Sequence, residues 1–503
     1  MALFFFFLIL VLPIFLFSLL SKHRTSKSNL LLHLPPGPKG LPLIGNLHQL
    51  DYSALHSCLW QLAQKYGPLM SLRLGSKQVL VVSSAKLAEE IMKTHDLLFC
   101  SRPALLANQK LNYNCLNISF APYNNHWREM RKICIVHLFN SNRVHSFQPI
   151  REFEVSQMIH NISETALASK PVNLSEAMTF LTSTIICRVA LGKKYEEEEV
   201  RRFHEMFKEI QAVFAGFYVS DYFPSLGFID KFNPLTHRLE KIFKVLDSFY
   251  EEILQEHLDP NRLKPEQEDI LDVLIQILKD SSSKSKAHLT FDHIKAVLMD
   301  VFLAGTETSA GTVIWAMSYL MKNPSAMQKA QEEVRRTVGE KGFANEEDTQ
   351  KLEYMKAVIK ETLRLQPVVP LLLPRESSQN CRLEGYDIPC KTVVYVNAWA
   401  IGKDPQVWEN PEEFCPERFM ANSIDLKGND FGLIPFGAGR RICPGIYMGL
   451  STVELSLANL LYKFDWEMPD EMKGQDLDME VQPGITVHRR NALCLMPTNT
   501  SDL

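Results

Sequence analysis

Cys443 lies in the run Pro435-Phe436-Gly437-Ala438-Gly439-Arg440-Arg441-Ile442-Cys443-Pro444-Gly445, just before an apolar stretch with helical spacing. A thiolate is the reactive and metal-binding form of cysteine, and nearby positive charge and a helix N-terminus both lower its pKa. Glycines at 437, 439 and 445 let main-chain N–H groups approach the sulfur where a Cβ would obstruct them. Pro444 suits the first helical position, whose N–H has no partner anyway. The arrangement fits a single axial metal ligand, with Arg441 placed to meet an acidic group of a cofactor. A lone cysteine is more often a buried structural residue in a turn; here the surrounding spacing favours the ligand.

Three further segments carry reactive or charged residues. Ala304-Gly305-Thr306-Glu307-Thr308-Ser309 sits in the middle of a helical pattern from Thr290 to Lys322, with Thr290 as N-cap and Pro324 as stop. Glycine and threonine are unfavourable inside a helix, so the run implies a use for hydroxyls or for an opened backbone, or else threonines bonding back to the i−4 carbonyl. Glu361-Thr362-Leu363-Arg364 puts opposite charges at i and i+3 on one helix face among apolar residues. In Trp127-Arg128-Glu129-Met130-Arg131-Lys132 the pairs Trp127/Arg131 and Arg128/Lys132 lie on adjacent faces.

Phe436-x-x-Gly439-x-Arg441-x-Cys443-x-Gly445 resembles the haem-binding signature of the cytochrome P-450 superfamily, and the likeness extends from about residue 35 to the C-terminus. The texture is similar to the plant microsomal A-type enzymes. The resemblance implies haem b held by the Cys443 thiolate, in a mainly α fold with a small β-rich subdomain. It implies that Ala304 and Gly305 leave room for dioxygen, while Glu307 and Thr308 relay protons to it. It assigns Trp127, Arg131, Arg441 and Arg375 to the haem propionates, and Glu361, Arg364 and Arg418 to a buried brace. Arg128 and Lys132 are then an exposed basic patch for an acidic redox partner.

The elements that must position these residues follow from the wider pattern. The chain has 503 residues, 46 % hydrophobic and 22 % charged, with net charge −4. That is ordinary for a protein with a large core, and no strongly basic segment points to nucleic acid. Ten cysteines without a Cys-x-x-Cys pair suit reduced thiols better than five disulfides. Residues 2–20 are uncharged and almost wholly apolar, long enough for roughly 28 Å of helix. Lys22, His23, Arg24 and Lys27 follow, which places the rest of the chain in the cytosol; a cleavable signal peptide is the rival reading. Domains are expected at 1–21 (single-pass anchor of the endoplasmic reticulum membrane), 22–46 (basic, Pro-rich linker) and 47–503 (haem-binding catalytic domain). On that topology the sequons at Asn117, Asn161, Asn173 and Asn499 stay unglycosylated.

Leu69–Leu74 and residues 78–82 around Gly75-Ser76-Lys77 read as a β-hairpin, with further strands near 393–397 and 492–495. The acidic run 196–199 reads as a solvated face, and residues 279–286, rich in serine and lysine, as a loop.

The expected function is a membrane-anchored monooxygenase that inserts one oxygen atom from O2 into a small apolar or aromatic plant metabolite. Electrons would come from NADPH through a separate reductase, with cytochrome b5 as a further partner, since no Gly-x-Gly-x-x-Gly run binds NADPH here. A phenylpropanoid or coumarin-like substrate is favoured over a terpenoid or an aldoxime. A reductase-independent haem-thiolate isomerase or dehydratase often lacks the acid–alcohol pair, which is intact here as Glu307 and Thr308, and a non-catalytic haem-binding protein would have no use for it. The resemblance puts the pocket in residues 102–120, 203–232, 297–308, 368–373 and 484–488, with few polar handles. Gln366 and Val368 stand where histidine and proline are frequent, and Phe203, Phe207 and Phe214 form a stripe that suits core packing.

Overall fold

The computed structural model describes residues 32–262, 267–284, 289–469 and 472–500. The expected anchor at 1–21 and the basic part of the linker lie outside them. Among the described residues the chain is mainly helical, with four small sheets at its edges.

The axis of the body is the 32-residue helix Phe291–Lys322, roughly 48 Å long. Thr290 caps it in extended conformation, and His293 Nδ1 accepts from the Thr290 N–H at 3.2 Å. Pro324, which cannot continue the helix, opens the next one, Pro324–Val338. Around the central helix pack Leu174–Leu191, Glu353–Leu365 and Ile446–Lys463. Leu174–Leu191 and Phe291–Lys322 are long and apolar enough to cross a membrane, yet 67 % and 78 % of their most apolar windows are buried. They are core helices of this body, apolar nearly all round because neighbours cover them on every side.

The hairpin forms as expected, with Leu69–Leu74 antiparallel to Lys77–Val82. Its turn is the two residues Gly75-Ser76, Gly75 supplying a φ of +60°, and Lys77 belongs to the second strand. Val393–Val396 joins Lys77–Val82 in parallel, and Arg375–Glu376 closes the four-stranded sheet. The C-terminal strand runs from Cys494 to Asn499 rather than 492–495, because it pairs with Val172–Asn173 and then with Phe464–Glu467.

Residues 279–284 are not a loop: the helix Ile270–Lys284 runs through them, carried by apolar Ile270, Leu271, Leu274 and Ile275 in the core. The acidic run is exposed, and it also starts a helix, Glu197–Phe214, with Glu196 and Glu199 as a reciprocal capping pair. All ten cysteines are free. Asn117 is fully buried and donates to Asp300 at 2.7 Å, so in the folded body that sequon is closed to any modifying enzyme.

Candidate active site

Cys443 sits at the wall of a cavity of about 300 Å³ between the central helix and the loop before Ile446–Lys463. The loop is held by its own backbone: Cys443 N–H donates to Phe436 O at 2.9 Å, Gly437 N–H to Ile434 O at 2.9 Å, and Ile442 N–H to Gly439 O at 3.1 Å. Gly437 and Gly439 have φ of +70° and +67°, and a Cβ on Gly439 would strike Met92 O at 2.1 Å. Only glycine fits there. Gly445, by contrast, has nothing within 4 Å of a Cβ, so its bare Cα opens the cavity beside the sulfur.

Two local expectations change. The helix begins at Ile446 with Gly445 as N-cap, so Pro444 precedes the cap instead of occupying the first turn. The Cys443 thiol is pushed up, not down: burial dominates over the Gly445 N–H and the Arg131 charge, which pull the other way. Burial thus favours the thiol, and a cation bound at the sulfur would favour the thiolate.

Opposite Cys443, the central helix presents Ala304, Gly305 and Thr308 to the cavity. Ala304 is exposed in the middle of an otherwise buried helix because the cavity lies against it. A Cβ on Gly305 would come 2.4 Å from Ile186 Cδ1, so this glycine lets Leu174–Leu191 approach closely. Thr308 Oγ1 donates to Ala304 O at 2.7 Å and thereby satisfies its own hydroxyl inside the helix. Glu307, 6 % exposed, does not line the cavity; its carboxylate lies against Gln211, Thr486 and His488.

Four guanidiniums line the same cavity: Arg102, Arg131, Arg375 and Arg441. Arg441 donates to Cys100 O, Ile118 O and Ala121 O at 2.7, 3.0 and 2.6 Å, and lies 4.2 Å from the Trp127 ring centroid. Trp127 Nε1–H donates to the same Ile118 O at 2.9 Å, so the indole stands behind Arg441 and off the cavity wall. Arg131 Nη2 donates to Ile442 O at 2.5 Å. Arg375 pairs with Asp96 at 3.0 Å and donates to Ala438 O at 2.8 Å. Burial holds all four below the ordinary guanidinium value, Arg441 at about 9, with Arg375 and Arg131 repelling it further. Asp96 is the one carboxylate in direct contact with any of them among the described residues. Such a cluster is short of negative charge, and a carboxylate-bearing ligand would supply it.

Arg102 came from no motif reading; it entered only as the start of an expected pocket segment. Its Nε donates to Ser119 O at 3.0 Å and its Nη1 to Leu373 O and Pro374 O at 2.6 and 2.8 Å. Ser101-Arg102-Pro103 gives no periodic signal, so only tertiary packing brings this arginine to the others. Helix Leu174–Leu191 was also missed, although Thr182, Ile185, Ile186 and Val189 line the cavity.

The brace is present. Arg364, fully buried, makes a bidentate pair with Glu361 at 2.7 and 2.8 Å, and Arg418 Nε donates to Glu361 Oε1 at 3.0 Å. Arg364 also donates to the carbonyls of Gly402, Pro411 and Glu413. Arg128 and Lys132 are exposed.

A cysteine-bearing glycine loop, a threonine helix across the cavity, an arginine rim and a Glu–Arg–Arg brace now stand together. The family model for cytochrome P450 matches residues 35–496. The chain belongs to the cytochrome P450 family. It is 49 % identical over 98 % of both chains to a 6,7,8-trihydroxycoumarin synthase of Pastinaca sativa, and 48 % over 98 % of both to a 5-OH-xanthotoxin synthase of the same plant. It is 46 % identical to a strychnine-11-hydroxylase of Strychnos nux-vomica, over 95 % of this chain and 94 % of that one. A zebra fish cytochrome P450 solved with progesterone superposes with TM-score 0.75 at 26 % identity, covering 88 % of this chain and 99 % of that one. This P450 is therefore a haem-dependent monooxygenase whose iron takes a cysteine thiolate.

The cavity fits that group. Its walls are mostly apolar, Cys443 is the one cysteine on them, and the arginine rim suits the two propionates of haem b. All five expected pocket segments contribute, but Gln211 alone comes from 203–232. Phe203 packs on Tyr195 and Phe249, and Phe207 on Phe302, as core residues.

Proposed function

We propose that this P450 hydroxylates a flat, oxygenated aromatic of the coumarin or furanocoumarin class. The carrying observation is near-full-length identity of about half to relatives named for 6,7,8-trihydroxycoumarin and 5-OH-xanthotoxin. The cavity supports it, since Phe120, Val297, Val301, Val368 and Ile485 give apolar walls for a planar ring.

Haem, when bound, supplies the activation of O2 and the oxygen transfer. In this reading the Cys443 thiolate would hold the iron, with Phe436, Gly439 and Gly445 shaping the loop around the sulfur. Arg441, Arg131, Arg375 and Arg102 would neutralise the propionates, with Trp127 orienting Arg441 from behind. Ala304 and Gly305, small at the cavity wall, would leave room for dioxygen. Thr308 holds a hydroxyl at the cavity wall, and Glu307 is the acid that feeds it protons.

Two electrons reach the site from NADPH through a separate flavoprotein reductase docking near Arg128 and Lys132, with cytochrome b5 as an alternative donor. We place the protein on the cytosolic face of the endoplasmic reticulum, held by residues 1–21. An exposed apolar group supports contact with a membrane: Phe217, Leu226, Phe228, Ile229 and Phe232 on one segment, Leu41 and Ile44 on another. The hairpin ties both together, through Ser76 N–H to Tyr222 O at 2.8 Å and Asn46 N–H to Arg73 O at 2.6 Å.

The test is incubation of membranes carrying this protein and a reductase with hydroxycoumarins, xanthotoxin, terpenoids and aldoximes. NADPH-dependent gain of one oxygen on a coumarin supports the reading. Turnover confined to the other classes overturns it.

A further inference from the structure

Three donors converge on one oxygen of Glu307. Gln211 Nε2 lies 2.7 Å, Thr486 Oγ1 2.8 Å and His488 Nε2 3.1 Å from Oε2. Thr486 Oγ1 also stands 3.1 Å from His488 Nε2 and 3.0 Å from Gln211 Nε2, which knits the group into one patch. Gln211 and Thr486 line the cavity. On the other side the path leads outward: the His488 side chain is 32 % exposed, against 7 % for Glu307. One turn along the central helix lies buried Gly311, whose lack of a side chain makes room for Val368 and the imidazole; a Cβ there would sit 3.7 Å from Nδ1. The partly exposed imidazole thus meets, through Nε2, a buried acid whose neighbour in sequence, Thr308, lines the cavity.

Other charged groups stand close but do not take this place. On the helix Glu197–Phe214, His204 is held below its usual value by burial and then by Lys208, and its Nδ1 is buried without a partner. Lys208 and Glu176 act on His204 in opposite directions, and neither bonds to Glu307. For Glu307 itself, burial alone would raise the carboxyl; the His488 hydrogen bond and charge, then Thr486 and Gln211, outweigh it and hold the group below its usual value.

We propose that His488 is the positioning residue that connects Glu307 to bulk solvent, passing protons inward and holding the carboxylate at the cavity's polar edge between transfers. The proposal rests on the reading of Glu307 as the site's acid. The step is a proton transfer with no change of oxidation state. Nδ1 takes a proton from a hydronium ion, leaving water, the Nε2–H bond breaks as an Oε2–H bond forms, and a neutral imidazole remains with its hydrogen on Nδ1. Exchange with water restores the starting tautomer. Once the imidazole is back in its Nε2–H tautomer, the neutral carboxyl no longer offers it a charged acceptor, so the carboxyl is held less tightly and can turn toward Thr308 on the next residue.

The experiment uses the reduced, carbon-monoxide-bound holoenzyme and infrared difference spectra across pH, before and after mixing with D2O. The Glu307 carboxyl band is the one missing from Glu307→Gln. In His488→Gln, which keeps a hydrogen bond but carries no charge, its midpoint should rise by about one pH unit. Its hydrogen–deuterium exchange should slow on the order of 10-fold. His488→Asn, shorter by one methylene, should do the same and serves if the Gln variant loses haem. An unchanged midpoint and exchange rate in a haem-loaded variant overturns the proposal. These readouts need no substrate, so they stand apart from the coumarin reading; a Glu307→Gln variant that couples normally would instead remove Glu307 as the acid.

Discussion

At Cys443 two opposing effects meet: burial that raises the thiol, and a metal that would take the thiolate. Cys443→Ala should therefore give a folded chain without the reduced carbon-monoxide band of thiolate-ligated haem, and a variant that kept the band would remove Cys443 as ligand. Thr308→Ala tests a different property. Alanine raises helix propensity and leaves the Ala304 carbonyl to its helical partner, so the carbon-monoxide spectrum should survive. With the hydroxyl gone, the ratio of product to NADPH consumed should fall several-fold, with the balance appearing as hydrogen peroxide. An unchanged ratio would make Thr308 a packing residue. Both residues were legible because their neighbours in sequence are also their neighbours in space. Arg102 and His488 were not, because what gives them meaning lies 271 and 181 residues away, at Leu373 and Glu307.

At the scale of elements, one loop couples the central helix to the arginine rim. Asp300, on the central helix, accepts from Ile118 N–H at 2.9 Å, Ser119 N–H at 3.1 Å and Asn117 Nδ2 at 2.7 Å. The carbonyls of the same loop receive Arg441, Trp127 and Arg102. The helix thus grips the loop by its N–H side while the rim grips it by its C=O side. Burial pushes the Asp300 carboxyl up to about 6, against the pull of these hydrogen bonds. An acid raised on folding binds its proton more tightly in the native state than in the unfolded one. Its contribution to stability therefore falls as pH rises from about 3.8 through about 6, where the native group ionises. Asp300→Asn should remove that slope, so the difference in unfolding temperature between variant and parent should change between pH 4 and 7. A constant difference would mean that Asp300 is ionised throughout. The sequence pattern marked the central helix and hairpin correctly because period and punctuation agree there. It misjudged 279–284 because serine and lysine composition speaks for solvent exposure, not for backbone shape, and the buried residues at 270–275 extend the helix past them.

At the scale of the molecule, the apolar exposed group and the segment before residue 32 address the same question, attachment to a bilayer. Partial burial of five aromatic and aliphatic side chains at the 217–232 segment in a bilayer would be a second attachment beside the proposed anchor, since apolar area leaving water is favourable at about 25 cal/mol per Å². Removing residues 2–21 should leave a chain that folds and binds haem, because the segment from Pro35 to Gly45 already docks on the hairpin through Ser71 N–H to Pro36 O at 2.8 Å. That truncated protein should still sediment with vesicles, more weakly than the full chain. Adding Phe228→Ser and Phe232→Ser should release it: both side chains are exposed, at 60 % and 79 %, so their loss costs the fold little. Vesicle co-sedimentation of the full chain, the truncation and the truncation with both serines measures the two attachments separately. If the truncated protein stays in solution with its phenylalanines intact, the apolar group is no membrane contact and residues 1–21 act alone.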